Sequence, residues 1–139
     1  MSRRAAIFDR LALKERVSIN QQMKSLGALS NEFRQIDEMR QKLDEMAREQ
    51  ASADGVQNAG SLRAAAQLNF QIRQQLETAT NRSDHLAAEL RNMRQRIAQS
   101  DRRREKSANK ADALRLKARN ERERKREDDE ASRRRNQPR

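Results

Sequence analysis

The second half of the chain carries a stripe of apolar and small residues separated by alternating steps of three and four. Heptad position a falls on Leu62, Asn69, Leu76, Ser83, Leu90, Ile97, Arg104, Ala111 and Ala118. Position d falls on Ala65, Ile72, Ala79, Leu86, Met93, Ser100, Ser107 and Leu114. A stripe with a period of about 3.5 residues stays on one side of a helix only if the helix coils around a partner. The pattern predicts a coiled-coil helix over residues 62–126, with weak packing where Ser100, Arg104 and Ser107 occupy the seam.

The first half carries a second stripe of large apolar residues. It comprises Ile19, Met23, Leu26, Leu29, Phe33, Ile36, Met39, Leu43 and Met46, with Phe8 and Leu11 extending it upstream. Its steps repeat every ten residues, so the stripe drifts around a helix faster than a heptad stripe does. We therefore expect a first helix within residues 1–51 that has a tightly wound, irregular seam.

The segment 52–61 interrupts both stripes. Gly55 and Gly60 permit positive φ angles, Asp54 and Asn58 favour turns, and Ser61 is the expected N-cap of the second helix. A connection this short between two long amphipathic helices favours an antiparallel hairpin. The predicted fold is all-α: an antiparallel two-helix coiled-coil hairpin in which the basic C-terminal end of the longer helix protrudes. Residues 127–139 are expected to form a charged, frayed tail.

Composition agrees with a long-helix protein. Only 34% of the residues are hydrophobic and 38% are charged, which is too polar for a compact core. The formal charge is +11, and residues 101–139 alone contain sixteen Lys or Arg against nine Asp or Glu. With no cysteine, no signal sequence and no bilayer-length apolar run, the expected location is the cytoplasm.

The sequence offers no catalytic constellation. His85 is the only histidine and lies at position c, an outward site, and no cysteine accompanies it. We therefore expect no enzyme activity, metal, cofactor or small-molecule substrate. The basic stretches 102–106 and 115–126 suggest nucleic acid, but acidic residues interrupt them and no stacking aromatic residue lies there. Phe70, at position b, is either an exposed contact point or packs over the start of helix two.

Three segments resemble the FliJ family of flagellar export proteins, whose injectisome counterparts are YscO-like stalk proteins. These are residues 8–16 (FDRLALKER), 76–79 (LETA) and 125–133 (KREDDEASR), within a layout of shorter helix, bend and longer basic-ended helix that matches along the whole chain. The resemblance implies a coiled-coil stalk in the type III export apparatus. Such a stalk couples the export ATPase ring to the membrane-embedded export gate and to export chaperones.

The resemblance also implies which residues make these contacts. Those facing the ATPase ring would be Arg10, Lys14, Arg16, Arg115, Arg119, Arg122 and Arg126. Those facing the export gate would be Met39, Leu43, Met46, Phe70, Ile72, Leu76 and Ala79, several of which are also seam positions. The protein would be a monomer when not bound and would associate peripherally with the inner-membrane export apparatus, reaching the membrane only through a partner.

Two other functions remain open at this stage. A structural or scaffolding coiled coil that self-associates would show the same stripes, because they serve a dimer as well as a hairpin. A basic helical protein that binds nucleic acid without sequence specificity is the third possibility.

Overall fold

The computed structural model describes residues 3–52 and 58–137, apart from the side chain of Ser52. Helix α1 spans Arg3–Ser52 and helix α2 spans Ala59–Asn136. No strand occurs in the described residues, and the two helices pack against each other. The predicted all-α fold with two paired helices is confirmed. Gly55 and Asp54, predicted as turn residues, lie outside the described residues.

The heptad reading of α2 is confirmed by burial. Every a and d position from Ala65 to Ala118 is buried or half-buried, and Leu86 is fully buried at 0% exposure. Ser83 and Ser100 are among the buried residues, so small polar side chains do occupy the seam. Only Leu62, the first predicted seam residue, is exposed.

The predicted ten-residue repeat of α1 is wrong, but seven residues of the predicted stripe do lie in the seam: Phe8, Ile19, Leu26, Leu29, Phe33, Ile36 and Leu43. Every a and d position from Ala5 to Gln50 is buried or half-buried, in alternating steps of three and four, and the other half-buried residues of α1 lie at the flanking positions e and g. Position a is held by Ala5, Ala12, Ile19, Leu26, Phe33, Arg40 and Ala47, and position d by Phe8, Glu15, Gln22, Leu29, Ile36, Leu43 and Gln50. Met23, Met39, Met46 and Leu11 lie beside this seam and are exposed.

The seam of α1 contains polar residues, one of which, Arg40, finds its partner on the same helix, whereas the buried Oε1 of Gln22 accepts no hydrogen bond. Arg40 lies at position a, and its guanidinium donates from Nε and Nη2 to Asp37 Oδ1 at 3.1 and 3.0 Å. Long side chains of this kind cover the seam with their aliphatic stems while the charged head reaches solvent. The large apolar residues therefore do not mark the α1 seam completely.

Asn58, rather than Ser61, is the N-cap of α2. The backbone N–H of Ser61 donates to Asn58 Oδ1 at 2.8 Å, and the backbone N–H of Leu62 donates to the Asn58 carbonyl at 3.0 Å. This is the geometry in which a cap side chain satisfies an N–H group of the first helical turn. The helix therefore begins at Ala59, three residues before the predicted start.

At its other end, α2 continues to Asn136, ten residues beyond the predicted end at 126. All residues from Arg119 to Gln137 are exposed, so no side chain of this segment is buried against α1. Arg119 pairs with Glu123 at 3.8 Å, and Arg133, Arg134 and Arg135 lie in the last turn, where cations stabilise the helix dipole. Local charge interactions therefore support the helix where the sequence suggested a frayed tail.

The chain divides into two units, each containing a segment of both helices. The central unit is Gln22–Gln95, and its most buried apolar residues are Leu43, Ile72, Ala79, Leu86 and Leu90. An ion pair joins Glu32 of α1 to Arg82 of α2 at 2.6 Å. The apolar core of the central unit consists mainly of large aliphatic side chains.

The terminal unit combines Met1–Gln21 with Arg96–Arg139. Its buried residues are small: Ala5, Ser100 and Ala111. Asp9 pairs with Arg115, and Glu15 lies 3.8 Å from Arg103. Residue numbers therefore rise along α1 as the numbers of their partners fall along α2. This order shows that the helices are antiparallel in this unit.

Candidate interaction surfaces

Four of the arginines predicted to contact an ATPase ring share one face of α2. Arg115 and Arg122 lie at position e, and Arg119 and Arg126 at position b, separated by steps of four, three and four residues. All four are exposed. We call these four residues the arginine stripe. The spacing places four guanidinium groups along about three turns of helix, beside the seam and not in it.

Part of the arginine stripe lies against the start of α1. Arg115 donates to Asp9 of α1 through Nη2 and to Asp112 of its own helix through Nη1, the latter at 3.0 Å. Arg115, Arg119 and Arg122 also line a shallow groove whose other walls are Ala5, Ala6, Asp9 and Ala118. The small alanines leave these guanidinium groups accessible next to the first two turns of α1.

The predicted ring-contact residues of α1 are spread around the helix. Arg16 lies at position e, the flank that carries Asp9 and faces the arginine stripe. Arg10 and Lys14 lie at the outward positions f and c. All three are exposed, but the structure places only Arg16 on the same flank as the stripe.

The predicted export-gate patch does not form one surface. Leu43, Ile72 and Ala79 are buried at 8%, 3% and 6% exposure, and Leu76 is half-buried. These four residues occupy a or d positions, where they fill the seam of the central unit. Leu43, Ile72 and Ala79 therefore offer almost no surface to a partner while the helices are paired.

The exposed members of that patch lie on opposite flanks. Met39 and Met46 occupy position g of α1 and are 54% and 45% exposed. Phe70, at position b of α2, is 62% exposed, which favours the interpretation that it is an accessible contact point. Leu62 and Leu68 are also exposed, at 57% and 42%, although neither was predicted to be a contact residue. Leu68 lies at position g, so its heptad position could have identified it.

Met39 lines a groove of about 630 Å³ in the central unit. The other lining residues are Ile36, Gln74, Gln75, Glu77, Thr78, Ala79 and Arg82. Arg82 donates to Glu32 at 2.6 Å, and this hydrogen bond, followed by the charge of Glu32, raises the pKa of Arg82 above its ordinary value. Polar and apolar surface contribute about equally to the groove, and its apolar residues are Ile36, Met39 and Ala79.

His85 lies on the outer surface, where Nε2 contacts Glu89 Oε1 at 2.8 Å, one helical turn away. Within residues 3–52 and 58–137 there is no group of three His, Asp or Glu side chains positioned to hold a metal ion. Neither helix, in its described part, contains an apolar segment of the length needed to cross a bilayer.

No protein-family model, curated protein or solved structure matches this chain.

Proposed function

We propose that this chain is a coiled-coil stalk of a type III protein export apparatus, linking an export ATPase ring to the export gate and chaperones. The geometry of the terminal unit supports this proposal most directly. There, the start of α1 lies beside residues 115–122 of α2, and α2 continues beyond it as an exposed helix with the arginine stripe on one face.

A ring surrounds its axis with repeated, equivalent surfaces, so a central ligand gains from charges that interact without one fixed register. Arg119, Arg122 and Arg126 are exposed at the end of α2 and can meet acidic ring loops in this way. Contacts between exposed charges of this kind weaken as salt rises.

Contact with the export gate falls to a smaller set of residues than the resemblance implied. Met39, Met46 and Phe70 remain accessible, whereas Leu43, Ile72 and Ala79 fill the seam. The proposal therefore assigns gate or chaperone contact to the exposed residues and a packing role to the buried ones.

The test is binding of the full chain to a purified flagellar export ATPase. Arg119→Glu, Arg122→Glu and Arg126→Glu together are expected to weaken binding by at least about tenfold, since three exposed attractions become repulsions. The matched control reverses Lys106, Lys117 and Arg124, which lie at positions c and g of the same helix. Equal loss in both variants, or no binding by the unmodified chain, contradicts the proposal.

A test in cells asks whether the exposed C-terminal end of α2 is needed for export. Removing residues 119–139 leaves every seam position of α2 in place and is expected to reduce motility and secretion of export substrates. Unchanged motility and secretion would show that the protruding end has no role in export.

A further inference from the structure

One flank of α2 in the terminal unit carries six cations and no acidic residue. Along α2, positions g and c face the same side, because they alternate in steps of three and four. Between 96 and 124 the cations on this side are Arg96, Arg103, Lys106, Lys110, Lys117 and Arg124, all exposed. The acidic residues in the same stretch are Asp101, Glu105, Asp112, Glu121 and Glu123, and none of them lies at position g or c.

The adjoining part of α1 adds apolar side chains to this flank. Arg4, Ile7, Leu11 and Lys14 alternate between g and c in steps of three, four and three. Ile7 is 54% exposed and Leu11 is 43% exposed. We call the g and c positions of α1 residues 4–14 and α2 residues 96–124 the basic flank.

Contacts across the helices show that these two stripes belong to one side of the pair. Lys110, at position g of α2, holds its ammonium 4.9 Å from the centre of the Phe8 ring of α1. Arg103, also at g, lies 3.8 Å from Glu15 of α1. On the opposite side, Asp9 and Arg115 pair from position e. The two acidic residues at the start of α1 are thus engaged by arginines of α2.

We infer that the basic flank binds the surface of an anionic lipid bilayer directly. A row of cations parallel to the helix axis, extending about 40 Å from 96 to 124, matches a flat negative surface, which attracts basic segments without requiring a fixed register. Ile7 and Leu11 are placed to enter the headgroup region, while the stems of the basic residues lie along the interface.

The apolar residues favour lipid over nucleic acid as the occupant. Phosphate contacts of a duplex would use the cations but gain nothing from exposed Ile7 and Leu11. Binding of single strands relies on aromatic side chains that stack on bases, and the aromatic residue nearest this flank, Phe8, is half-buried beneath Lys110. The inference does not rest on the proposed stalk function, and it adds direct lipid contact to a protein expected to reach the membrane only through partners.

The experiment is co-sedimentation of the full chain with vesicles of phosphatidylglycerol mixed with phosphatidylcholine. Binding is expected with these vesicles and not with phosphatidylcholine alone, and it should weaken as salt rises from about 0.1 to 0.5 M. Reversing three flank cations together (Lys106→Glu, Lys117→Glu and Arg124→Glu) should lower the partition coefficient at least about tenfold. Lys110 and Arg103 are left unchanged because they contact α1.

The matched control is the arginine-stripe variant, Arg119→Glu, Arg122→Glu and Arg126→Glu, which changes the net charge equally. It should retain more vesicle binding than the flank variant. Equal losses would mean that net charge alone drives adsorption, and the inference would be overturned. Far-ultraviolet circular dichroism of both variants checks that the helices persist, since all six residues are exposed.

A second variant, Leu11→Ser with Ile7→Ser, isolates the apolar contribution. It should weaken vesicle binding by about threefold to tenfold while leaving the dependence on salt unchanged. No effect of this variant, or binding of the unmodified chain to duplex DNA but not to vesicles at physiological salt, would overturn the lipid assignment. Because ATPase binding is read separately, failure here and failure of the stalk proposal are distinguishable.

Discussion

Asp9 and Arg115 lie at the same heptad position, e, on different helices, and their side chains form an ion pair across 106 residues of sequence. Glu32 and Arg82 repeat this relationship at position g in the central unit. When two helices run in opposite directions, each flank meets its own counterpart, so e faces e and g faces g. Both pairs are therefore those expected of antiparallel helices.

The Asp9–Arg115 pair should make a small but measurable contribution to stability. Asp9→Arg and Arg115→Asp are each expected to destabilise the protein, and combining them should restore part of the loss. The coupling should be about 0.5 kcal/mol, because both side chains are about half exposed. Urea unfolding of the four proteins in a double-mutant cycle measures this value. A coupling of zero would mean that the helices pair without help from this contact.

Leu43 and Met46 provide a direct test of the α1 seam. Leu43→Ala should cost about 2 kcal/mol or more of unfolding free energy, because it removes a side chain that is 8% exposed. Met46→Ala should change stability by less than about 0.5 kcal/mol, because that side chain is 45% exposed at a flank position. Thermal or urea unfolding gives both values. Similar losses in the two variants would support the ten-residue stripe instead.

The N-cap of α2 should depend on Asn58. Asn58→Ala is expected to cost about 1 kcal/mol, because the Ser61 N–H loses its side-chain acceptor. Ser61→Ala is the control and should be nearly neutral, since its side chain does not cap the helix in this structure. Chemical denaturation is the measurement. A larger loss at Ser61 than at Asn58 would contradict the observed start of the helix.

Backbone protection should differ between the two units. The central unit buries Leu43, Ile72, Leu86 and Leu90, whereas the terminal unit buries mainly alanine and serine. Opening of the terminal unit therefore exposes less apolar surface and should cost less free energy. Hydrogen–deuterium exchange is expected to be faster over residues 3–21 and 96–118 than over 26–47 and 72–93. Uniform exchange along both helices would show that they open as one cooperative unit.

The fold could be predicted from the sequence because the α2 seam is regular. Leu86, Leu90 and Ile97 recur at a and d, and the glycine-containing segment separates the two helices. The α1 seam could not be predicted as readily. Arg40 and Gln50 hold seam positions, while Met39 and Met46 lie beside them, so hydrophobicity alone misidentifies part of the seam.

The candidate surfaces were also predicted better on α2 alone than where both helices contribute. The arginine stripe lies on α2, where the heptad reading is confirmed, and its four residues share a face as their spacing requires. The gate patch combined residues from both helices without separating seam from flank. Leu43 and Ile72 therefore appeared as contact candidates, although pairing of the helices buries them.

The exposed end of α2, residues 119–136, has a consequence for the evolution of this protein. Every side chain there is exposed, and beyond Arg126 none belongs to the arginine stripe, so many substitutions beyond Arg126 that keep helix propensity and alternate the signs of charge are tolerable. Selection on such a segment acts on its pattern more than on its individual amino acids. Related chains are therefore expected to diverge rapidly in this region while retaining its length and charge order.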